Sequence, residues 1–302
     1  MKARALLLVN LGTPSAPTPA AVRSYLAEFL SDPRVVRLPR MLWLPVLYGI
    51  VLNTRPARSA KKYAAIWTAD GSPLAFHTRE QARLLKSRTG GQVAHAMRYG
   101  EPTIASAIRQ LADCDVTVVP LYPQYSESTT ASVADAIPAG TPMVRNFHDH
   151  PGYIGALAAN VRRHWQAHGR GPILLMSFHG LPRRGAGRYE MECGATARLL
   201  AKELALKNAE WRITFQSRFG FAQWLQPYTE PTLKALAQSG CERIDVICPG
   251  FISDCLETLE EIGIMARRAF LATGGREFHL LPCLNESPEW IAALADIAET
   301  RA

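Results

Sequence analysis

The sequence predicts an α/β protein built from two similar Rossmann-like lobes, each a four-stranded parallel sheet flanked by helices. Three observations carry this expectation. Short apolar runs alternate with longer amphipathic stretches, as strands and helices do in a parallel sheet covered on both faces. The strand candidates divide evenly about a midpoint near residue 150. The two halves also match locally. Tyr99-Gly-Glu-Pro102-Thr103 and Tyr228-Thr-Glu-Pro231-Thr232 each lead into a helical stretch and then a strand ending in proline, at Pro120 and Pro249, with no gap needed.

In the first half the strands are expected at Ala5–Asn10, Gln92–Met97, Val116–Leu121 and Met143–Phe147. In the second they are expected at Ile173–Phe178, Arg212–Gln216, Ile244–Cys248 and Phe278–Leu281. Helical periodicity fits Ala20–Leu30, Pro102–Ala112, Tyr153–His168, Ala195–Leu206, Pro231–Gln238 and Ser287–Thr300. The lobes are therefore expected over residues 1–150 and 151–302, with the final helix free to pack back on the first lobe. Leu7-Leu8-Val9-Asn10 runs into Leu11-Gly12-Thr13-Pro14 just as Leu175-Met176-Ser177-Phe178 runs into His179-Gly180-Leu181-Pro182. Leu11 and His179 thus fall at equivalent strand ends, one from each lobe. Ligands of such folds bind beyond the carboxyl ends of the strands, here in an expected cleft between the lobes.

Composition narrows the class. The 302 residues are 48% apolar and 20% charged, which excludes disorder, a collagen-like fibre and a disulfide miniprotein. The formal charge of +8 points to an anionic partner without choosing it. No nucleic-acid module accompanies the charge, so nucleic acid is not expected. The six cysteines are irregularly placed and no signal peptide is read, so reduced cytosolic thiols are expected. No apolar run reaches membrane-spanning length; Met41–Leu52 is too short and holds Pro45 and Gly49. Neither glycine-rich phosphate motif occurs, so a nucleotide cofactor is disfavoured.

Two segments carry candidate chemistry. His179 ends a buried strand before a glycine, a rigid place for an imidazole that takes a proton or holds a metal. In Asp254-Cys255-Leu256-Glu257-Thr258-Leu259-Glu260-Glu261, a helix puts Glu257 and Glu261 on one face. Carboxylates so placed repel unless a cation or solvent relieves them, and hard or borderline divalent metals favour oxygen ligands. A solvated acidic helix start is the plain alternative. The hydroxyl-rich loop Tyr122–Thr130, with two tyrosines, suits a flat ligand's edge or ordinary helix capping. The stretch Arg34–Leu52 sets Arg34, Arg37 and Arg40 beside Met41-Leu42-Trp43-Leu44. It reads as a peripheral membrane contact, a greasy anionic ligand's site, or a buried helix with a basic flank. His164 and His168 lack the glutamate of a zinc-protease motif and read as a polar helix end. His148-Asp149-His150 reads as exposed loop. Cys241, Cys248 and Cys255 cross a strand and a turn without a C-x-x-C, so zinc and iron–sulfur are disfavoured.

At these residues the sequence resembles the ferrochelatases, and most closely those of Gram-negative bacteria. The motifs are Ser177-Phe178-His179-Gly180-Leu181-Pro182 and Ser253-Asp254-Cys255-Leu256-Glu257-Thr258-Leu259-Glu260. Val9–Pro14, Phe29–Val36, Pro120–Ser126, Gln216–Gly220 and Trp224-Leu225 add to them. The resemblance covers nearly the whole chain. It implies a lyase of heme biosynthesis that inserts Fe²⁺ into protoporphyrin IX and releases two protons, the porphyrin being clamped between the lobes. It implies His179 and Glu257 as catalytic residues, and His179, Glu257 and Glu261 as residues that meet the metal. It implies Leu11, Arg34, Arg98, Tyr99, Tyr122, Tyr125, Ser126, Trp224 and Phe251 as porphyrin-binding. The division of labour between His179 and Glu257 stays open. Iron is expected as substrate, with no permanently bound cofactor and no [2Fe–2S] cluster. A cytoplasmic monomer is expected, in peripheral contact with the cytoplasmic face of an anionic inner membrane. A coproporphyrin III ferrochelatase and a non-catalytic tetrapyrrole carrier are the alternatives; retention of both His179 and Glu257 argues against the carrier. Three departures stand out. Arg183–Glu190 replaces a Gly-Asp-Pro-Tyr turn, Cys255 replaces a frequent histidine, and Met265 interrupts the acidic row.

Overall fold

The computed structural model describes residues 2–220 and 222–301. The chain forms two compact units. The first comprises residues up to Leu121, Tyr125–Arg145 and the last residues from Ala298; the second comprises Tyr122–Gln124 and Asn146–Ile297.

In the first unit the strands are β1 (Ala3–Gly12), β2 (Gln92–Tyr99) and β3 (Cys114–Pro120), all parallel, in the order β2-β1-β3. The central strand is apolar on both faces because both are covered: Leu7, Leu8 and Val9 are fully buried. Burial of each such side chain is worth about 1.5–3 kcal/mol. The expected fourth strand at Met143–Phe147 does not form. Met143 makes only a single bridge to Val118, with Val118 N–H donating to Pro142 and Val144 N–H donating back to Val118. Continuing that parallel ladder needs a donor two residues further along β3, and that residue is Pro120, which has no N–H.

The helix Pro19–Ser31 starts on Thr18, whose hydroxyl accepts from Ala21 N–H, and carries proline at its first position. Residues 40–89 are more helical than the sequence reading allowed. They form Arg40–Val46, a π-helical stretch Leu47–Val51, Leu52–Ile66 and Pro73–Thr89. The helix Arg40–Val46 buries none of its residues. The buried-helix reading is therefore incorrect for Arg40–Val46, although the Trp43 indole N–H is anchored on Leu30 O at 2.6 Å and Leu47 and Leu52 further along are buried.

In the second unit β4 (Leu174–His179), β5 (Trp211–Gln216), β6 (Arg243–Ile247) and β7 (Glu277–Leu280) form the expected four-stranded parallel sheet, ordered β5-β4-β6-β7. Leu175, Ile244, Val246, Leu233, Ile262 and Phe270 share one core beneath it. Trp290, from the last helix Pro288–Thr300, packs on Phe147 and Tyr153.

The two sheets correspond, but in a different register from the one the sequence suggests. Met97 N–H donates to Pro102 O, and Phe215 N–H to Pro227 O, so Pro102 matches Pro227 rather than Pro231. Thr103 and Tyr228 then both cap helices, Ile104–Gln110 and Thr229–Gln238. Pro231 lies in its helix's first turn, where a missing N–H costs nothing. The shared Tyr-to-Pro spacing is a coincidence, since Tyr99 ends a strand and Tyr228 precedes a helix.

The Leu11 and His179 correspondence holds, and the glycines after them show why it must be close. A Cβ on Gly12 would lie 1.8 Å from the Tyr99 carbonyl oxygen, and one on Gly180 2.6 Å from that of Gln216. Gly12 also has φ +115°, where L side chains are strained. Gly12→Ala is expected to cost about 3 kcal/mol or more, read as a lowered denaturant midpoint. Gly49→Ala, with nothing within 4 Å of the added carbon, is expected to be neutral or stabilising by ~0.5–1 kcal/mol.

Candidate active site

His179 is the last residue of β4. Its backbone carbonyl accepts from the buried Tyr189 hydroxyl at 2.9 Å, and its Nδ1 lies 2.7 Å from the Gly180 carbonyl oxygen. A carbonyl only accepts, so Nδ1 carries the proton and Nε2 keeps its lone pair for a base or ligand role. The Phe251 ring centroid stands 6.3 Å from that of the imidazole. Trp224 closes over the next residue: its ring would lie 3.4 Å from a Cβ on Gly180. A short antiparallel bridge holds it there, with Arg183 N–H donating to Gln223 O and Leu225 N–H to Leu181 O.

The acidic motif enters a π-helix, Leu256–Ala266. Such windings are rare and recur at functional sites. Its four acids do different things. Asp254 is buried and structural, accepting from Thr258 Oγ1 (3.0 Å) and Asn285 Nδ2 (2.7 Å), which ties the helix start to the loop after β7. Glu260 is buried. Glu257 is half-buried, and its backbone carbonyl accepts from Gln216 Nε2 at 2.8 Å. Glu261 is gripped by both donors of Ser217, the backbone N–H at 2.7 Å and the hydroxyl at 2.5 Å. Burial pushes the Glu261 carboxyl above its usual range and the Glu257 charge adds to this; the Ser217 hydrogen bonds and His179 pull it down. The Glu261 carboxyl therefore feels both the His179 imidazole and the Glu257 charge. Among the described residues no three His, Cys, Asp or Glu side chains are grouped to hold a metal ion.

The chain as a whole matches known proteins. The family model described as Ferrochelatase matches residues 3–302. The chain is 56% identical over 318 residues to a ferrochelatase of Aromatoleum aromaticum, covering 98% of this chain and 87% of that one. It is 58% identical over 308 residues to a ferrochelatase of an Azoarcus species, covering 96% and 85%. The chain belongs to the ferrochelatase family.

Two solved structures share the fold. One is CbiX, described as the terminal enzyme for biosynthesis of siroheme in denitrifying bacteria. It has TM-score 0.54 and 15% identity, covering 99% of this chain and 100% of that one. The other is the sirohydrochlorin chelatase SirB from Bacillus subtilis in complex with cobalt, with TM-score 0.54 and 12% identity, covering 100% and 96%.

In the first unit of this ferrochelatase, several residues expected at the porphyrin are engaged with protein partners. Asp32 gathers Arg98 Nη2 (2.6 Å), the Tyr99 hydroxyl (2.8 Å), Ser132 Oγ (2.9 Å) and the Arg34 backbone N–H (2.7 Å). Burial raises the Tyr99 phenol's pKa, so it stays a donor. The Arg34 guanidinium forms a fork on Asp135 at 2.7 and 3.2 Å and lies 3.9 Å from Glu127. Ser126 is buried and bonds Thr129 Oγ1 at 2.6 Å before the π-helical turn Glu127–Ala131. Tyr125 is half-buried, as are Leu11 at the end of β1 and, in the second unit, Tyr122.

Asp32, Gln216, Ser217 and Tyr189 escaped the sequence reading. The first three lie inside quoted motifs, but only their partners, distant in sequence, reveal their work. The structure also adds His279 to the His164–His168 pair, with ring centroids 5.3 and 5.7 Å away. His150 and Asp149 are not both exposed loop: His150 is buried, 3.3 Å from Asp296.

Asp32 yields a pH prediction. Burial works to raise its pKa, but the hydrogen bonds from Arg34, Tyr99 and Ser132 and the Arg98 charge prevail, and the net shift is down from 3.8. A depressed carboxyl contributes stability above its unfolded pKa and loses it as pH falls through the folded one. Asp32→Asn is expected to lower stability at neutral pH by about 2–4 kcal/mol. It should also flatten the decline of stability below pH ~4, measured by denaturant titrations across pH.

Proposed function

We propose that this ferrochelatase acts on protoporphyrin IX, inserting Fe²⁺ to give protoheme and two protons in heme biosynthesis. The observation that carries the reading is His179, with Nδ1 committed to Gly180 O and Nε2 available, acting electrostatically on the Glu261 carboxyl of the π-helix.

The chemistry suits these groups. The free macrocycle holds two pyrrole protons where the metal must go. His179 Nε2 takes them one at a time and passes each to solvent, a role in general base catalysis that is worth roughly 10²–10⁴-fold. Glu257 and Glu261 attract Fe²⁺ and replace part of its water shell, as carboxylates do for hard and borderline cations. Phe251 and Trp224 supply flat apolar surface beside the imidazole. Leu11, Tyr122, Tyr125 and Ser126 are porphyrin-binding residues in this reading. So are Arg34, Arg98 and Tyr99, which Asp135 and Asp32 hold in place.

The preference for protoporphyrin over the four-carboxylate coproporphyrin, and a peripheral membrane site, draw support from one exposed surface. Met41 is 90% exposed, and Leu38, Leu42, Tyr48 and Ile50 lie at 50–69%. Arg40 is exposed beside them, and Arg37 is paired with Glu127. Apolar side chains flanked by basic ones suit an anionic bilayer surface and a poorly soluble substrate. No helix among the described residues is long and apolar enough to cross a membrane. The protein then works as a monomer at the cytoplasmic face of the inner membrane.

Two measurements test this. With purified enzyme, Fe²⁺ and either porphyrin under anaerobic reducing conditions, His179→Ala is expected to lower kcat about 100-fold or more while porphyrin still binds. Glu257→Gln should also suppress turnover; unchanged kinetics would remove it from the site. Replacing Met41 and Leu42 by aspartate should abolish co-sedimentation with anionic vesicles and leave the fold intact, since neither side chain is buried. Equal sedimentation of both proteins would exclude this surface.

A further inference from the structure

The corner that ends β5 does more than terminate a strand. Gln216 is buried and its side chain is fully committed: Nε2 donates to Glu257 O, and Oε1 accepts from Ser177 Oγ at 2.7 Å. Its backbone carbonyl accepts from Gly180 N–H at 2.8 Å, next to His179. The next residue, Ser217, has φ +64°, a left-handed conformation that residues other than glycine seldom adopt. Backbone outliers of this kind persist where surrounding structure imposes them, often at functional sites. Here the conformation lets one residue offer two donors to one carboxylate, N–H to Oε1 and Oγ–H to Oε2 of Glu261.

We propose that Ser217 is a positioning residue for metal entry, clamping both oxygens of Glu261 so that this carboxylate is fixed in orientation for a hydrated divalent cation on its way to the His179 end of β4. The inference rests on the reading of Glu261 as a residue that meets the metal. Glu261 is half-buried and has no other hydrogen-bond donor among the described residues. Without the clamp its carboxylate loses its orientation, while the porphyrin-facing groups stay in place. The defect therefore belongs to the metal and not to the macrocycle.

Steady-state kinetics with Zn²⁺ as the probe metal and protoporphyrin as co-substrate separate the two. Ser217→Ala removes the hydroxyl. Ser217→Gly also removes it but relieves the backbone and keeps the N–H. Both are expected to raise KM for Zn²⁺ about tenfold, the scale of one hydrogen bond to a charged group. Porphyrin affinity, read by fluorescence quenching, and kcat at saturating Zn²⁺ should stay within about twofold. A glycine variant with wild-type KM for Zn²⁺ would show that the hydroxyl does no positioning and overturn the proposal, as would equal losses for metal and porphyrin. Glu261→Gln separates the role of the carboxylate from that of the clamp. If it leaves KM for Zn²⁺ unchanged, the reading of Glu261 fails and the clamp with it. If it raises KM while Ser217→Ala does not, only the clamp fails. On the Glu261→Gln background, Ser217→Ala should add less than about twofold, because the two residues act as one unit.

Discussion

The close approach of β4 to β5 at their carboxyl ends is the constraint on which the second unit's site depends. The Gly180 N–H reaches the Gln216 carbonyl only because Gly180 lacks a Cβ; any side chain would meet that oxygen at 2.6 Å. The contact brings the residue after His179 against the residue before Ser217. From there the same corner reaches the π-helix twice, through Gln216 to the Glu257 backbone and through Ser217 to the Glu261 carboxylate. An imidazole from β4 and two carboxylates from the π-helix are thus referred to one backbone hydrogen bond. Fixed donors and acceptors placed this way need no reorganisation when charge moves.

The first unit uses the same strand-end contact for a different purpose. Gly12 sits against the Tyr99 carbonyl as Gly180 sits against Gln216, but the neighbouring side chains form a buried polar network around Asp32. Arg98, Tyr99 and Ser132 each donate to that one carboxylate, so the cost of burying them is offset within the unit. Arg34 is likewise spent on Asp135. Arg98 and Arg34 are thus spent on partners inside the unit, while its large exposed apolar side chains cluster between Leu38 and Ile50. The +8 of the whole chain is less informative than where the unpaired cations lie.

The π-helix redistributes the acidic motif. Four acids within eight residues would repel on a solvated surface. Here Asp254 is absorbed by Thr258 and Asn285, Glu261 by Ser217, and Glu260 is buried. Glu257 is held at its backbone carbonyl by Gln216 and meets the buried Cys255 thiol with its side chain.

By itself the sequence located the strands to within one or two residues, the glycines that follow Leu11 and His179, and the His179 and Glu257 motifs, because these are local patterns of apolar runs, turn residues and charge. It also carried the family, through motifs that run the length of the chain. It misread the register of the internal repeat, since a matching spacing of Tyr and Pro says nothing about which proline precedes the helix. It supplied a fourth strand where Pro120 removes the needed donor. Only the tertiary structure decided that Met41, Leu42, Tyr48 and Ile50 are exposed, that Asp254 is structural, and that Asp32 and Ser217 hold the side chains around them. Ser217 and Glu261 are 44 residues apart, and Asp32 and Tyr99 are 67 apart. Such pairings depend on how parallel strands bring distant corners together and on which carboxylates lose their water. Both are properties of the folded chain and not of any local segment.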